Sequence, residues 1–551
     1  MKNLLVLFCL LVSSILTFGQ IEKGQLHGSF QSDFQYYNED SIIGAIVPAE
    51  QIGLNSYANF NYVLGNFSAG VRYEGYLPAL NGYDSRYDGI GIPYKYISYK
   101  KDELDVVVGS FYEQFGNGLV LRAYEEKNLG YDNAFEGVKV KYKPINGIYL
   151  KGLIGKQRSF WEFSDGIIRG IDGEVSINEL FKKMDESKFV ISIGGSFVSK
   201  FQDDNDHPFY NLPENVSASA GRLNLTAGKI SFSTEYAYKI NDPSSDNGYI
   251  YKPGEALIVN TSFSQKGFGV FLSAKRVDNM SYRLDRNATL ANLNLNYIPD
   301  ITKAHTYSLA AMYPYATQLN GEFGFQGEIN YLFKKKSTLG GKYGTRLSIN
   351  FSTVYSIDKE GIEVEDVDSL VIGQEGTDGY TSEFFKVGDE LFYQDLNIEI
   401  SKKVNKKIKG KVIYQNQIYN NSVIHGAGDW HGKIHAHIGI IDITYKIKSR
   451  NTIRLEMQEL YTKDQYGEWF SGLIEYNIPN WFFTVMDQYN YGNTDLEKKI
   501  HYPKVSIGYK KGTNRIQLGY GKQREGVMCI GGVCRNVPAA NGLTLSITSS
   551  F

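Results

Sequence analysis

The sequence predicts an all-β fold: one large antiparallel barrel of about 24 to 26 strands that crosses a membrane. Three observations predict it. Segments of about ten residues alternate apolar and polar side chains, the period of a strand with one covered face. Their connections are alternately short and long, as the two ends of a membrane barrel require. The composition, with 42 Tyr, 31 Phe and 57 Gly against 13 Pro, favours strands and tight turns over helices.

Residues 1–19 are expected to be a cleaved export signal: Lys2, an apolar run over 4–16, then Thr17-Phe18-Gly19 before a mature start at Gln20. Cys9 lies inside the apolar run, away from any lipoprotein arrangement. No later run of 18 apolar residues occurs, which excludes spanning helices. The mean hydropathy of -0.31 looks soluble, but in a barrel only alternate residues face lipid. A net charge of -2 with no basic patch argues against nucleic acid. Without a Pro/Ser-rich linker, 20–551 reads as one unit.

The strands follow in order. In 229–239, Ile230, Phe232, Thr234, Tyr236 and Tyr238 oppose Ser231, Ser233, Glu235 and Lys239. In Thr345–Ile357, Leu347, Ile349, Phe351, Tyr355 and Ile357 alternate with Arg346, Ser348, Asn350, Ser352 and Ser356. In 407–418, Val412, Tyr414 and Ile418 face away from Lys407, Lys409 and Lys411. Charges on a covered face would be costly in a soluble core. In a barrel they line water, so Arg346, Lys407, Lys409, Lys411, Arg454, Glu456, Arg515 and Gln517 are assigned to the lumen. Tyr73, Tyr76, Tyr94, Trp481, Phe483, Tyr489 and Tyr491 near strand ends suit interfacial aromatic girdles.

Short turns fall at 64–66, 100–103, 144–147, 226–228, 448–451, 478–480 and 510–514. Long polar loops fall at 38–52, 79–90, 201–215, 241–254, 279–303, 358–388, 421–430, 491–501 and 525–540. Both termini should lie on the short-turn side, so the strand number must be even. That parity conflicts with drawing strands at both 118–125 and 304–318; one of the two is not a strand. A 24-strand barrel would enclose a lumen roughly 40 Å across, which would leak if left open. Infolded segments at 113–133 and 279–321 are the candidate plugs, with a partner protein the alternative.

The terminal stretch N-G-L-T-L-S-I-T-S-S-F sets Leu543, Leu545, Ile547 and Phe551 opposite Thr544, Ser546, Thr548 and Ser550. It resembles the last strand of bacterial outer-membrane barrels, which implies that Phe551 belongs to an insertion signal read by the barrel assembly machinery. A wider resemblance is carried by F-G-N-G-L-V-L-R-A-Y-E-E at 115–126, Y-P-Y-A-T-Q at 313–318, G-G-K-Y-G-T at 340–345, G-D-W-H at 428–431 running on to His437, and C-I-G-G-V-C at 529–534. These segments resemble an uncharacterised outer-membrane protein family of the Bacteroidota over nearly the whole mature chain. The resemblance implies a barrel in the outer membrane and brings no activity with it.

Chemistry concentrates in few places. His425, His431, His435 and His437 hold four of the eight histidines. His431, His435 and His437 would share one face of a strand beginning at His431, and the cluster would either hold a divalent ion, zinc first, or form a hydrogen-bonded lumen wall near the outer rim. Lys433 in their midst opposes a cation, and the apolar phase suggests a bulge between Ile440 and Ile441. Cys529 and Cys534 are the only mature cysteines, and export makes a disulfide their expected state. The acidic loop 358–388 lacks EF-hand spacing and reads as solvated rather than as a calcium site. Glu125, Glu126 and Asp132 have no nucleophile with a base partner beside them and read as loop or lumen charges. Two functions follow: a non-enzymatic structural or accessory subunit of an outer-membrane assembly or secretion complex, or a substrate-selective or gated channel for a polar solute. Outer-membrane lipid is the expected surrounding in both.

Overall fold

The computed structural model describes residues 24–551, apart from 185, 205–209, 289–290, 363–375, 427–431 and 531–532. The expected export signal at 1–19, His431 and residues 363–375 of the acidic loop therefore lie outside the described residues. The main sheet has 25 strands, of which Glu162–Phe163 only extends the hairpin that follows Ile148–Ser159. The other 24 run antiparallel in chain order from Gln25–Tyr37 to Ala540–Ser550. The first and last pair with each other, Ser29 against Ser550 through Tyr37 against Gly542. The cylinder is closed, and no edge of it is left unpaired.

The short turns lie at one end, with the longer connections 177–188 and 334–344 among them, and the long loops lie at the other. Between Asp278 and Thr345 the wall has one strand, Glu322–Phe333. Residues 304–318 are thus not a strand, which resolves the parity conflict; 113–133 contributes no wall strand either.

Strand periodicity becomes two surfaces. Val485, Leu272 and Val412 are more than half exposed on the outside, in a belt that continues around the cylinder. Water would leave that belt uncovered; lipid covers it. The alternate residues turn inward, as with Glu235 and Lys239, both fully buried. No helix among the described residues is long and apolar enough to cross a membrane, and the strands make the crossing. A closed even-numbered cylinder with this belt is an integral protein of a bacterial outer membrane.

Inside, two apolar cores fill the half of the lumen nearest the long loops. The first packs Phe115, Leu119, Val120 and Leu121, with Met280, Tyr282, Leu293, Leu295 and Ile298, against inward wall residues such as Leu153, Ile168, Val198 and Ile258. The second packs Leu309, Met312, Tyr313 and Tyr315 against Tyr393, Ile413, Tyr419, Ile434, Ile438 and Leu460.

That second core corrects the expectation for strand Lys433–Lys448. Ile434, Ala436, Ile438 and Ile440 are buried against the plug, while Lys433, His435 and His437 face outward. The register against Ile408–Asn420 runs unbroken from Tyr445 to Lys433, so there is no bulge at Ile440. The apolar phase changes because the inward face meets protein at one end and water at the other. Tyr76 and Tyr94 are also displaced from the expected girdle: Tyr76 is buried beside Tyr57 and Tyr87, and Tyr94 stacks on Tyr112. Tyr73, Trp481 and Phe483 do face outward.

Candidate functional site

The first infold is 112–134. Gly116 and Gly118 adopt positive φ (50° and 94°), which lets Phe115-Gly116-Asn117-Gly118 turn tightly enough for the Gly118 amide to donate to Phe115 O at 2.8 Å. The same turn aims the Asn117 amide at Glu235 of the wall, 2.7 Å away. A Cβ on Gly116 would lie 2.5 Å from that carboxylate, so the close approach requires glycine.

The second infold, 279–321, is bonded to the first. Arg122 N donates to Leu295 O, Tyr297 N to Gly118 O, and Asn296 Nδ2 to Leu119 O. Farther along, inward glutamines of the wall meet its backbone: Gln458 Oε1 accepts from Leu309 N at 2.9 Å and Gln417 Nε2 donates to Tyr313 O at 2.8 Å. Tyr313 and Tyr315 lie against Tyr419 and Tyr393. Lys275 pairs with Glu322 at 2.6 Å, both side chains fully buried, and Glu322 also accepts from Tyr315 Oη. These contacts satisfy polar groups that would otherwise be stranded in an apolar interior.

A charged latch joins the first infold to the wall. Arg158 donates to both oxygens of Glu74, at 3.0 and 2.7 Å, and to Asp132 at 2.6 Å. Arg72 reaches Glu74, Asp132 and Glu125. Tyr112 Oη donates to Asp132 at 3.0 Å. Burial pushes the Asp132 carboxyl up, but Arg158 and Arg72 outweigh it and hold it below the usual range. Glu125 is raised, because burial outweighs its one contact with Arg72. Carboxylate oxygens of Glu74, Glu125 and Asp132 come within 4.8 Å of one another, the geometry of a cation site. The two guanidiniums already supply that positive charge, so the cluster acts as an ion-paired clasp.

Two cavities flank the loop hairpin Gly526–Ile530/Val533–Val537, which folds over the lumen. One, of about 620 Å³, lies between plug residues 300–315 and the wall and loop at 486–488, 504 and 522–528. The other, of about 450 Å³, lies on the side of Tyr83, Arg158 and Arg535.

The sequence-predicted residues are dispersed. Arg346, Lys409, Lys411, Arg454, Glu456 and Arg515 belong to inward-facing positions and Lys407 to a turn. Arg454 pairs with Asp442 and Glu456, Lys411 with Glu399, and Arg515 with Gln517. His425 bonds Tyr419 Oη at 2.7 Å on the lumen side, and burial lowers its pKa. His435 meets Asp464 and His437 meets Tyr414 on the outer side. The structure therefore separates His425 from His435 and His437. Cys529 and Cys534 are cross-strand partners in the hairpin. Phe551 exchanges backbone hydrogen bonds with Gly28, and its ring lies 6.4 Å from Phe60. Sequence reasoning missed Arg72 and Glu74, two residues apart on one strand, Arg158, 84 residues beyond Glu74 and joined to it by no local spacing, and the cavity residues Lys504 and Arg524.

Among solved structures the chain is similar to a mutant of the ferric enterobactin receptor PfeA from Pseudomonas aeruginosa, with 11% identity and a TM-score of 0.43, covering 97% of this chain and 81% of that one. It is similar to the P pilus usher PapC translocation pore, with 8% identity and a TM-score of 0.40, covering 96% and 99%. It is also similar to OpdK, an outer membrane protein from Pseudomonas aeruginosa, with 11% identity and a TM-score of 0.36, covering 71% and 94%. The barrel is established by its own strand pairing rather than by these likenesses. No curated protein matches the chain. The family model described as "family of unknown function (DUF6029)" matches residues 1–551, and the chain belongs to that family.

Proposed function

We propose that the protein is a non-enzymatic, permanently plugged barrel that serves as a membrane-embedded structural or accessory subunit of an outer-membrane assembly or secretion complex. The observation that carries this reading is the pair of apolar cores binding both infolds to the wall. Fully burying one large apolar side chain contributes about 1.5–3 kcal/mol. Phe115, Leu119, Val120, Leu121, Leu295 and Leu309 are all fully buried, so opening the lumen would forfeit several such terms at once. Such a plug seals rather than gates. Exposed apolar side chains on the long-loop end, such as Ile42, Ile46 and Leu496, support contact with other proteins there.

The test is gentle purification from native membranes followed by mass spectrometry and planar-bilayer recording. Stoichiometric partners and a non-conducting protein are expected, with large conductance appearing when 304–318 is replaced by a short Gly-Ser linker. A solitary wild-type protein that conducts ions would sink this reading. It would leave the second one, a channel for a polar solute, which the 620 Å³ cavity favours.

A further inference from the structure

The larger cavity lies roofed by Val527, Met528 and Val537 of the loop hairpin and floored by plug residues. Its volume of about 620 Å³ is within the range of small-molecule sites, which are mostly apolar with a few convergent polar groups. Ala310, Ala311, Pro314 and Met486 give the apolar part.

The polar part is unbalanced. Four cations line the cavity, and two are already engaged: Lys303 with Asn397 Oδ1 at 2.6 Å and Lys522 with Asp40 at 2.7 Å. Lys504 has no hydrogen bond or ion pair among the described residues. Arg524 donates only to the backbone oxygen of Glu525, at 3.0 Å, and lies 5.8 Å from the Trp469 ring. Burial lowers the pKa of its guanidinium, the mark of a charge short of partners. Two carboxylates also line the space. Glu525 is exposed and pairs with neither cation, while Asp300 accepts from Thr317 Oγ1 and is pushed up by burial. An independent feature points the same way: Tyr313, 5% exposed, lines the cavity with a buried hydroxyl that has no hydrogen-bond partner. A buried donor left unsatisfied is costly, and a ligand acceptor would relieve it.

From the convergence of Lys504, Arg524 and the Tyr313 hydroxyl on one half-enclosed apolar cavity, we infer that the protein binds a small organic anion there, a carboxylate or phosphate group on an apolar body. The guanidinium and ammonium take the anionic oxygens, the phenol donates a third hydrogen bond, and the body lies against Met486, Ala310 and the hairpin. No conducting path is needed, so the inference stands whether or not the barrel works as a scaffold.

Benzoate and phenyl phosphate serve as probes, titrated calorimetrically into the detergent-purified full chain, with benzyl alcohol as the uncharged control. Saturable binding of at least one anion is expected, and binding of only one identifies the head group. Arg524→Gln and Lys504→Gln should each weaken it by about tenfold or more, the loss of one charge-assisted hydrogen bond. Tyr313→Phe, which removes one oxygen from the plug, should weaken it about threefold or more while heat-modifiable migration confirms the folded barrel. Lys409→Gln, a lumen cation outside the cavity, should leave it unchanged. Absence of binding by both anions, benzyl alcohol binding as tightly as benzoate, or affinities indifferent to all three cavity substitutions would each overturn the proposal.

Discussion

Replacing Arg158 with Met tests the clasp between plug and wall most directly. Arg158 and Glu74 side chains are each 1% exposed, and Arg158 makes four hydrogen bonds: two to Glu74, one to Asp132 and one to the oxygen of Phe160 at 2.6 Å. Met matches much of the stem but none of the charge. Three carboxylates would then face Arg72 alone. Removing one partner of a buried pair costs about 3–5 kcal/mol, because the remaining charges stay desolvated. The barrel strands keep their ladders, so the loss should appear as easier opening of the infold rather than global unfolding. Hydrogen exchange by mass spectrometry on peptides covering 112–134 should accelerate by about a hundredfold to a few thousandfold, at roughly 1.4 kcal/mol per factor of ten. Peptides from the strand Trp481–Tyr489, across the wall, should be unaffected. Equal protection of 112–134 in variant and wild type would refute the clasp.

Further outcomes follow from the same geometry. Glu125 has a raised pKa in the fold, so its share of stability is complete below the ordinary glutamate value of about 4.3 and is lost as pH rises through the raised one. Corrected for intrinsic chemistry, exchange in 124–132 should therefore quicken as pH rises from the ordinary glutamate value through the raised one, and Glu125→Gln should flatten that slope; an unchanged slope contradicts the assignment. Asp132, being lowered, changes its contribution only below about pH 3.9, outside this window. Directly opposed residues on an antiparallel hairpin have Cα atoms about 4.5–5.5 Å apart, within disulfide reach, so intact mass should show Cys529 and Cys534 gaining two alkyl groups only after reduction. A Cβ on Gly28 would stand 2.3 Å from the Phe551 ring, so Gly28→Leu should displace that ring and lower the fraction of heat-modifiable barrel recovered from membranes; full recovery would show the seat to be dispensable. Elemental analysis should find the same zinc content in wild type and in a His435→Ala, His437→Ala variant, since both imidazoles face outward beside Lys433 and away from His425. A drop in zinc would restore the metal site.

The wall of this barrel was legible in its sequence because a period of two needs only neighbouring residues. The runs at 229–239 and Thr345–Ile357 show it, and the alternation of short and long connections supplied the closed topology. The inside was legible only where it is wet. Arg454, Glu456 and Lys411 stand out as charges on a strand, whereas Ile434 and Ile438 look lipid-facing until the plug they touch is known. That neither 118–125 nor 304–318 is a wall strand turned on the same hidden surface. The clasp and the cavity were not legible, because Glu74, Asp132 and Arg158, or Tyr313, Lys504 and Arg524, are brought together by closure of the cylinder over tens to hundreds of residues.

Both infolds leave the wall and rejoin it at the same rim, 112–134 between consecutive strands and 279–321 between another consecutive pair. The stopper is therefore captive: tied at both ends, it can be loosened but never shed. Biogenesis inherits a matching demand, since these loops must turn back into the ring as it forms, or the cell gains a hole in the barrier it was building.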